Sequence, residues 1–440
     1  MSSNGRITKE VRRDYAFFRA VDAALERGER GPSVTAYLDN AATTQRPDRV
    51  IEAVEDFYRT INSNPLRGLY DISLRATEEY ERSRARVARF IGASRPEEII
   101  FTKNATESLN LVAFSLCEAV LKPGDEILVG IMEHHSNMLP WRAAAKRHGA
   151  SVRYLEPMKS ENVETHDAGD ACAKEDTDGL ITPEMFEGSL TEKTKIVAIT
   201  HVSNVFGREN DIKEFARICH ERGIVLVADG AQSVPHTRVD VSDLDVDFLA
   251  FSGHKMGAPM GIGVLYGKYE WLERIPPFLT GGEMIELVSL DRVTYAEIPH
   301  KFEAGTVNAG GAIGLAAAID YYEELGLDNI ADRENELTKH AYERLVSIPG
   351  ISVIGSTDPC KHHGILTFTL KDVHPHDIAY MLDEQAYVAI RAGHHCAQPL
   401  LKFIGKPSTA RMSVCFYNTE SEIDRMCGCV ASMRQQLGFD

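Results

Sequence analysis

Two stretches decide the fold: Ile224-Val-Leu-Val-Ala-Asp229-Gly-Ala-Gln232 and Asp247-Phe-Leu-Ala-Phe-Ser252-Gly-His-Lys255. Each contains a continuous apolar run of the kind that forms a strand buried on both faces of a parallel sheet. Asp229 ends the first run, and Lys255 comes just after the second. Ligands of open α/β sheets bind at the carboxyl ends of the strands. The sequence therefore predicts one site that contains both side chains.

Strand-like and helix-like stretches alternate on either side of this pair. Apolar runs at 98–102 and 126–130 are each followed by a helical pattern, and further runs at 152–155 and 195–200 continue the series. Such alternation is typical of a mainly parallel sheet with helices on both faces. The main body is therefore expected to be an α/β domain.

The pattern changes near Gly310, where a long helix leads into shorter strands, which indicates a smaller α+β domain. We expect a large domain at 37–309 and a small C-terminal domain at 310–440. A helical segment at 1–36, with an amphipathic helix at 9–27, is expected to pack with the small domain. The polar, acidic stretch at 159–179 is expected to be an exposed insertion.

Composition excludes several classes of protein. The 440-residue chain carries a formal net charge of −17 and no compensating basic stretch, which argues against a nucleic-acid partner. No apolar run is long enough to span a membrane, and the first residues lack the apolar core of a secretory signal. Eight scattered cysteines fit a reducing compartment. A cytoplasmic protein without a membrane or nucleic-acid partner is therefore expected.

A carboxylate and a lysine at neighbouring strand ends suit pyridoxal 5'-phosphate (PLP). This cofactor needs a lysine for its Schiff base and an acid beside its pyridine nitrogen. Either motif alone is more often a surface lysine or an acidic turn, and only the pair favours the cofactor. Asp229 would keep the ring nitrogen protonated, so that the ring can accept electrons from the substrate.

Other strand ends present side chains that fit the same cofactor. Thr106 opens a helix after the run at 98–102, and a helix N-terminus binds phosphate well, although a plain helix cap would look the same. Ser252 and His254, beside Lys255, could close the other side of the phosphate. His134 could stack on the ring, and Asn204 could hydrogen-bond the ring hydroxyl. Adjacent His134 and His135 make a poor metal site.

A second cluster, Arg391-Ala-Gly-His-His-Cys396-Ala-Gln-Pro399, lies in the C-terminal part. A cysteine beside histidines and an arginine can become a ready nucleophile. A buried structural thiol and a zinc site at His394, His395 and Cys396 are the competing interpretations, although three consecutive residues fit tetrahedral geometry poorly. Arg411 could clamp a substrate carboxylate, or it could be a surface cation.

From about Tyr37 onward, the chain resembles the cysteine desulfurases among the class V, fold-type I PLP enzymes. It is most similar to the SufS-type (group II) branch, which includes selenocysteine lyases. The resemblance implies a large domain with a mainly parallel seven-stranded sheet and helices on both faces, beside a smaller α+β C-terminal domain. It rests on the motifs at 38–42, 104–107, 133–137, 201–204, 229–232, 252–255, 302–306, 391–396 and 410–413.

The resemblance also implies a role for each residue. Lys255 would hold the cofactor and move the Cα proton, and Cys396 would take the sulfur of L-cysteine and leave alanine. Thr306 would reach the phosphate of the neighbouring subunit, which implies a homodimer. The remaining cofactor residues would be Asp229, His134, Gln232, Asn204, Thr106, Ser252 and His254, and the substrate carboxylate would be held by Arg391 and Arg411, with Asn204 nearby.

The sulfur would pass to a SufU- or SufE-like acceptor protein for iron–sulfur cluster assembly, and the segment 373–377 resembles one that meets a SufU-type acceptor. A helix cap is an equally good interpretation of this segment. Relatives usually carry histidines where this chain has Leu66 and Tyr70. A selenocysteine lyase, or a class V aminotransferase or epimerase, remains the alternative to a desulfurase.

Overall fold

The computed structural model describes residues 7, 9–27, 34–158 and 177–439. The predicted insertion at 159–179 lies almost entirely outside the described residues. The α-helices are α1 (Ala16–Glu26), α2 (Asp48–Thr60), α3 (Asp71–Phe90), α4 (Ala105–Val120), α5 (Leu139–His148), α6 (Pro183–Ser189), α7 (Ile212–Glu221), α8 (Val241–Leu244), α9 (Tyr269–Arg274), α10 (Ala309–Leu325), α11 (Leu327–Val346), α12 (Pro375–Met381), α13 (Gln398–Phe403) and α14 (Glu420–Gln436).

The strands are β1 (Ala36–Tyr37), β2 (Ile99–Thr102), β3 (Glu126–Gly130), β4 (Ser151–Leu155), β5 (Thr194–Thr200), β6 (Val225–Asp229), β7 (Phe248–Ser252), β8 (Gly263–Gly267), β9 (Ile285–Val288), β10 (Val293–Tyr295), β11 (Ile351–Ile354), β12 (Ile365–Leu370), β13 (Val388–Ala389), β14 (Arg391–Gly393) and β15 (Thr409–Ser413). Among the described residues, no helix is both long and apolar enough to cross a lipid bilayer.

The main sheet has seven strands in the order β2-β8-β7-β6-β5-β3-β4. All neighbouring pairs are parallel except those that involve β8, which runs antiparallel to both β2 and β7. The expected α/β architecture with a mainly parallel sheet is confirmed. β6, which ends at Asp229, is the central strand.

Both faces of this sheet are covered by helices. Successive residues of a strand therefore pack into different hydrophobic clusters. Leu226 and Ala228 pack in one cluster with helices such as α7 and α10, whereas Val225 and Val227 pack in the other with α4 and α5. A strand buried on both sides needs apolar residues at every position, which explains the unbroken run before Asp229.

A second sheet of four antiparallel strands, β11-β12-β15-β14, packs with α11 and α14 around a separate cluster that includes Leu337, Phe368 and Val430. Its strands β14 and β15 carry Arg391 and Arg411. The division of the chain at 37–309 and 310–440 stays a prediction, because α10 packs against α2 and α3 and belongs to the first cluster.

The N-terminal helix differs from the expectation of one continuous helix over 9–27. A 3₁₀-helix at Lys9–Asp14 is followed by α1, with a break at Tyr15. Tyr15 is buried and packs edge-on against Tyr417 and Tyr321. This packing requires extended backbone at Tyr15, which the periodicity of the sequence does not reveal.

Candidate active site

A cavity of about 180 Å³ lies at the carboxyl ends of β5, β6 and β7. Thr200, Asp229 and Ser252, the last residues of these strands, all line it. The cavity is also lined by the first residues of α4 and by the two arginines of the small sheet. Ten of the twelve site residues expected from the sequence line this cavity: Thr106, His134, Asn204, Asp229, Gln232, Ser252, His254, Lys255, Arg391 and Arg411.

Lys255 and Asp229 face the same cavity and influence each other's protonation. Burial lowers the pKa of Lys255 to about 8; Arg411 and Arg391 add to this effect, and Asp229 opposes it. Burial likewise raises the pKa of the Asp229 carboxyl, against the effects of Lys255 and of the hydrogen bond that its Oδ1 accepts from the Ala231 amide at 3.0 Å. A lysine of this kind exchanges a proton near neutral pH.

The N-terminus of α4 forms one end of the cavity. Asn104 caps the helix by accepting a hydrogen bond from the Glu107 amide, and the Ala105 amide donates to Ser252 Oγ at 2.8 Å. Thr106 Oγ1 lies 2.7 Å from Ser136 Oγ. A helix N-terminus with two hydroxyl groups beside it is well suited to bind a phosphate. His254 also lines this cavity, and burial lowers its pKa to about 4.

His134 is held in place by its own loop. Its Nδ1 accepts a hydrogen bond from the Ser136 amide at 3.1 Å and lies 2.9 Å from Ser136 Oγ. Burial, followed by the positive charge of Lys255, lowers the pKa of His134 to about 3. The imidazole is therefore neutral at physiological pH, as stacking on an electron-poor ring requires.

Two amide side chains, those of Gln232 and Asn204, also line the cavity. Gln232 Nε2 donates to the Ala41 carbonyl at 2.8 Å, while its Oε1 is buried without a hydrogen-bond partner among the described residues. Asn204 Nδ2 donates to the His395 carbonyl at 2.8 Å. A buried acceptor without a partner is costly unless a ligand completes it.

The Arg411 side chain is fully buried and oriented by two acceptors. Its Nη1 donates to the Asn204 carbonyl at 2.9 Å, and its Nη2 donates to Asp39 Oδ1 at 3.2 Å. Its Nε has no hydrogen-bond partner among the described residues. A buried donor without a partner is costly unless a ligand completes it. Arg391 lies directly opposite Arg411 in the pairing of β14 with β15.

Cys396 lies beside the cavity rather than in its lining, and its side chain is partly exposed. His395 and Cys396 both adopt left-handed backbone conformations, with φ of 51° and 57°. The Cys396 carbonyl accepts a hydrogen bond from the His135 amide at 2.8 Å, which attaches this loop to the His134 loop. Arg391 Nη2 lies 3.7 Å from Cys396 Sγ. This position differs from that of a buried structural thiol.

The zinc interpretation of the Cys396 loop gains no geometric support. His395 is buried and its Nε2 lies 2.8 Å from Thr409 Oγ1, whereas His394 is exposed. Over the ranges that the structure describes, no group of three or more histidine, cysteine, aspartate or glutamate side chains is arranged to hold a metal ion.

Thr306 is exposed and lies outside the cavity, in a surface groove with Phe101 and Phe302. Leu66 and Tyr70, the two positions that depart from the histidines of relatives, also lie outside the cavity lining. Leu66 has a φ of 74°, and Tyr70 is exposed. The structure therefore does not bring these three residues to the other site residues within one chain.

The sequence analysis missed three residues that shape the site. Asp39 orients Arg411, and Ser136 connects Thr106 to His134. Glu133 is fully buried; it accepts hydrogen bonds from the Thr200 amide at 2.9 Å and from Asn137 Nδ2 at 2.6 Å, which fixes the loop before His134. All three lie inside motifs already noted, so their positions next to expected site residues were the available signal.

Comparisons with known proteins agree with this geometry. The Aminotransferase class-V family model matches residues 36–175 and 171–426. A probable cysteine desulfurase of Halalkalibacterium halodurans is 48% identical over 92% of this chain and 95% of its own, and one of Staphylococcus epidermidis is 45% identical over 92% and 93%.

Solved structures show the same similarity over nearly the whole chain. A cysteine desulfurase of Thermococcus onnurineus, in its apo form, superposes with a TM-score of 0.87 at 38% identity, covering 99% of this chain and 100% of its own. The cysteine desulfurase CsdA of Escherichia coli gives 0.83 at 35% identity, covering 97% and 98%. The chain therefore belongs to the class-V aminotransferase family, as its motifs indicate.

Proposed function

We propose that this protein is a PLP-dependent cysteine desulfurase, which converts L-cysteine to L-alanine and carries the sulfur as a persulfide on Cys396. The single observation that carries the proposal is the placement of Cys396 Sγ beside a cavity that contains Lys255, Asp229 and two arginines. A relative 48% identical over most of the chain is named a probable cysteine desulfurase, which supports the same activity.

The residues present fit the cofactor. The unpartnered Gln232 Oε1 is available to a ring hydroxyl, and the buried Asp229 carboxyl suits a protonated pyridine nitrogen. Thr106 lies in the first turn of α4, Ser252 accepts a hydrogen bond from the Ala105 amide there, and His254 lines the same cavity; the phosphate would bind at this helix N-terminus. His134 would cover the ring, Asn204 would lie at its hydroxyl side, and Lys255 would supply the covalent attachment.

When bound, PLP withdraws electrons from the Cα of the attached amino acid, which makes the Cα–H and Cβ–S bonds easier to break. Lys255 Nζ is then the group that takes the Cα proton. Its pKa of about 8 lets the amine hold or release a proton near neutrality. The Asp229 carboxylate would pair with the ring nitrogen and favour its protonated form.

Arg411 and Arg391 hold the substrate. The unpartnered Nε edge of Arg411 would bind the carboxylate of L-cysteine in two hydrogen bonds. Arg391, opposite it, points one nitrogen toward Cys396 Sγ. Arg391 would also direct the substrate between Arg411 and Cys396.

Cys396 performs the sulfur transfer. Its thiolate attacks the sulfur of L-cysteine, an S–S bond forms and the Cβ–S bond breaks. The electron pair of the broken bond stays on Cβ, which takes up a proton and becomes the methyl group of alanine, while Lys255 returns a proton to Cα. A soft thiolate suits attack on sulfur, and the partial exposure of Cys396 leaves the resulting persulfide accessible to an acceptor.

A homodimer would complete the site. The hairpin of β9 and β10 exposes Leu287 and Leu290, and the loop before α3 exposes Leu69. Arg67 Nε lies 2.7 Å from Glu283 Oε2, which connects that loop to the base of the hairpin. Exposed apolar groups of this extent are typical of an interface. Thr306 would then reach the phosphate site of the second copy.

Sedimentation tests the homodimer. The wild-type protein should sediment as a dimer, whereas Leu290→Glu should shift it toward the monomer and weaken cofactor retention. A wild-type monomer that retains PLP would contradict the role of Thr306 in a neighbouring subunit.

A SufU- or SufE-like protein would accept the sulfur in the cytoplasm and deliver it to iron–sulfur cluster assembly. His376 Nε2 lies 3.8 Å from the point that a Cβ on Gly393 would occupy, close to the loop of Cys396. His374 caps α12 through its Nδ1, so the capping interpretation of this segment is realised, while the exposed His376 ring packs edge-on against His374.

The activity is tested by measuring alanine release from L-cysteine, with and without a small thiol as sulfur acceptor. Release that accelerates with the thiol supports persulfide transfer. Faster release from selenocysteine that is independent of Cys396 would instead identify a lyase. Keto-acid-dependent amino transfer would identify an aminotransferase.

A further inference from the structure

A buried acid outside the cavity connects two sides of the site. Glu334 lies on α11 and is 3% exposed, and His236 follows the turn that contains Asp229 and Gln232 and is 4% exposed. Glu334 Oε2 lies 2.8 Å from His236 Nδ1. Polar side chains so deeply buried need hydrogen-bond partners, and each of these two has the other as a partner.

The second oxygen of the same carboxylate has a different partner. Glu334 Oε1 accepts a hydrogen bond from the Phe416 amide at 3.1 Å. Phe416 comes soon after β15, the strand that contains Arg411. One carboxylate therefore joins the Asp229 turn to the segment that leaves the Arg411 strand.

The surroundings make these two hydrogen bonds strong and specific. Tyr322 and Cys415, which lie beside Glu334, are at most 1% exposed, and burial raises the pKa of both, with Glu334 adding to the effect. Hydrogen bonds to a charged group are stronger where water is excluded, and the loss of one partner leaves a buried polar group unsatisfied.

We propose that Glu334 is a positioning residue that, through His236 and the Phe416 amide, sets the distance between Asp229 and Arg411. The inference rests on the proposed function, since Asp229 and Arg411 are the residues that would meet the cofactor ring and the substrate carboxylate. Glu334 itself lines no part of the cavity. Its loss should therefore change cofactor binding and substrate binding together.

Three variants test this proposal with readouts that do not depend on turnover. Glu334→Ala removes both hydrogen bonds, whereas Glu334→Gln keeps an oxygen for the Phe416 amide and an NH₂ group for His236. Glu343→Ala changes an exposed glutamate on the same helix and is the matched control. For each, the PLP dissociation constant of cofactor-free protein, the visible spectrum of bound PLP and the melting temperature are measured.

Glu334→Ala should bind PLP about tenfold more weakly and show a shifted spectrum, because Asp229 no longer holds its place beside the ring nitrogen. Glu334→Gln should recover most of the affinity, and Glu343→Ala should match the wild type. A Glu334→Ala protein with a lower melting temperature but the wild-type dissociation constant and spectrum would overturn the proposal.

If Glu334→Ala yields no folded protein, His236→Leu takes its place under the same criteria, because it leaves the hydrogen bond to Phe416 intact. The result is separable from the proposed function. A wild-type protein that binds PLP but releases no alanine would contradict the desulfurase activity, whereas PLP binding unaffected by these variants would contradict only the role of Glu334.

Discussion

Arg391 and Arg411 are direct cross-strand partners in the pairing of β14 with β15, and both line the same cavity. Like charges opposite each other on a sheet are unfavourable. Asp39 accepts a hydrogen bond from Arg411. One carboxylate does not balance the positive charges of two arginines, so a bound anion would be favourable. The arrangement is therefore best explained by a substrate that brings a carboxylate.

Replacing Arg411 with lysine tests this explanation. Lysine keeps the charge but cannot offer two parallel hydrogen bonds. The replacement should therefore weaken the free energy of substrate binding by about 2 kcal/mol. The KM for L-cysteine should rise about 30-fold, measured by steady-state alanine release. Arg153→Lys, on the edge strand β4, should leave the KM unchanged. An unaltered KM in Arg411→Lys would mean that another residue binds the carboxylate.

The pKa of Lys255 predicts how cofactor incorporation depends on pH. Only the neutral amine can attack the aldehyde of PLP, and burial lowers the pKa of Lys255 from 10.5 to about 8. The rate at which cofactor-free protein incorporates PLP should therefore rise with pH and level off above about pH 8. Stopped-flow absorbance measures this rate. An inflection near pH 10.5 would show that Lys255 is not in the environment described.

Asp229→Asn should move that inflection to lower pH. The negative charge of Asp229 favours the ammonium form of Lys255, so its removal lowers the lysine pKa further. The same variant should also bind PLP more weakly, because the ring nitrogen loses its acidic partner. Asp211→Asn, at the N-cap of α7, serves as the control. A shift to higher pH in Asp229→Asn would contradict the direction of this interaction.

A buried ion pair supports the segment that leads to Thr306. Glu303 accepts hydrogen bonds from Arg84 Nη1 at 2.7 Å, from Tyr80 Oη at 2.8 Å and from the Phe101 amide at 2.7 Å. Arg84→Met should leave a buried, unpaired carboxylate and lower the free energy of unfolding by about 3–5 kcal/mol.

The matched control for Arg84→Met is Arg82→Met, on the exposed side of the same helix α3. Its ion pair with Glu79 is at the surface, so its loss should cost at most about 1 kcal/mol. Urea denaturation measures both variants. Equal free energies of unfolding for Arg84→Met and Arg82→Met would show that the Arg84–Glu303 pair does not stabilise the segment that leads to Thr306.

Local sequence was sufficient to predict that Asp229 and Lys255 line one cavity at the strand ends. An unbroken apolar run marks a strand buried on both faces, and its last residue must reach the edge where ligands bind. The same reasoning located Thr106, His134 and Asn204, because each follows a strand of the same sheet. The family motifs added the roles, and the class-V family was confirmed by the comparisons.

Contacts between distant segments could not be predicted in this way. The pairing of Arg391 with Arg411 depends on the register of β14 and β15, and Asp39 reaches Arg411 from the far end of the sequence. Glu334 sits in a helix with many acidic residues, so nothing in the sequence distinguishes it from an exposed glutamate. Burial of such groups is set by tertiary packing, which the local pattern does not record.

In the proposed reaction Cys396 takes the sulfur, and the activity of a Cys396 variant tests this role. Alanine release from L-cysteine is measured for the PLP-loaded wild type, Cys396→Ala and Cys360→Ala, the last of which removes another exposed free thiol. The account predicts that Cys396→Ala binds PLP as the wild type does but releases no alanine, while Cys360→Ala keeps full activity. Alanine release by Cys396→Ala at the wild-type rate would contradict it.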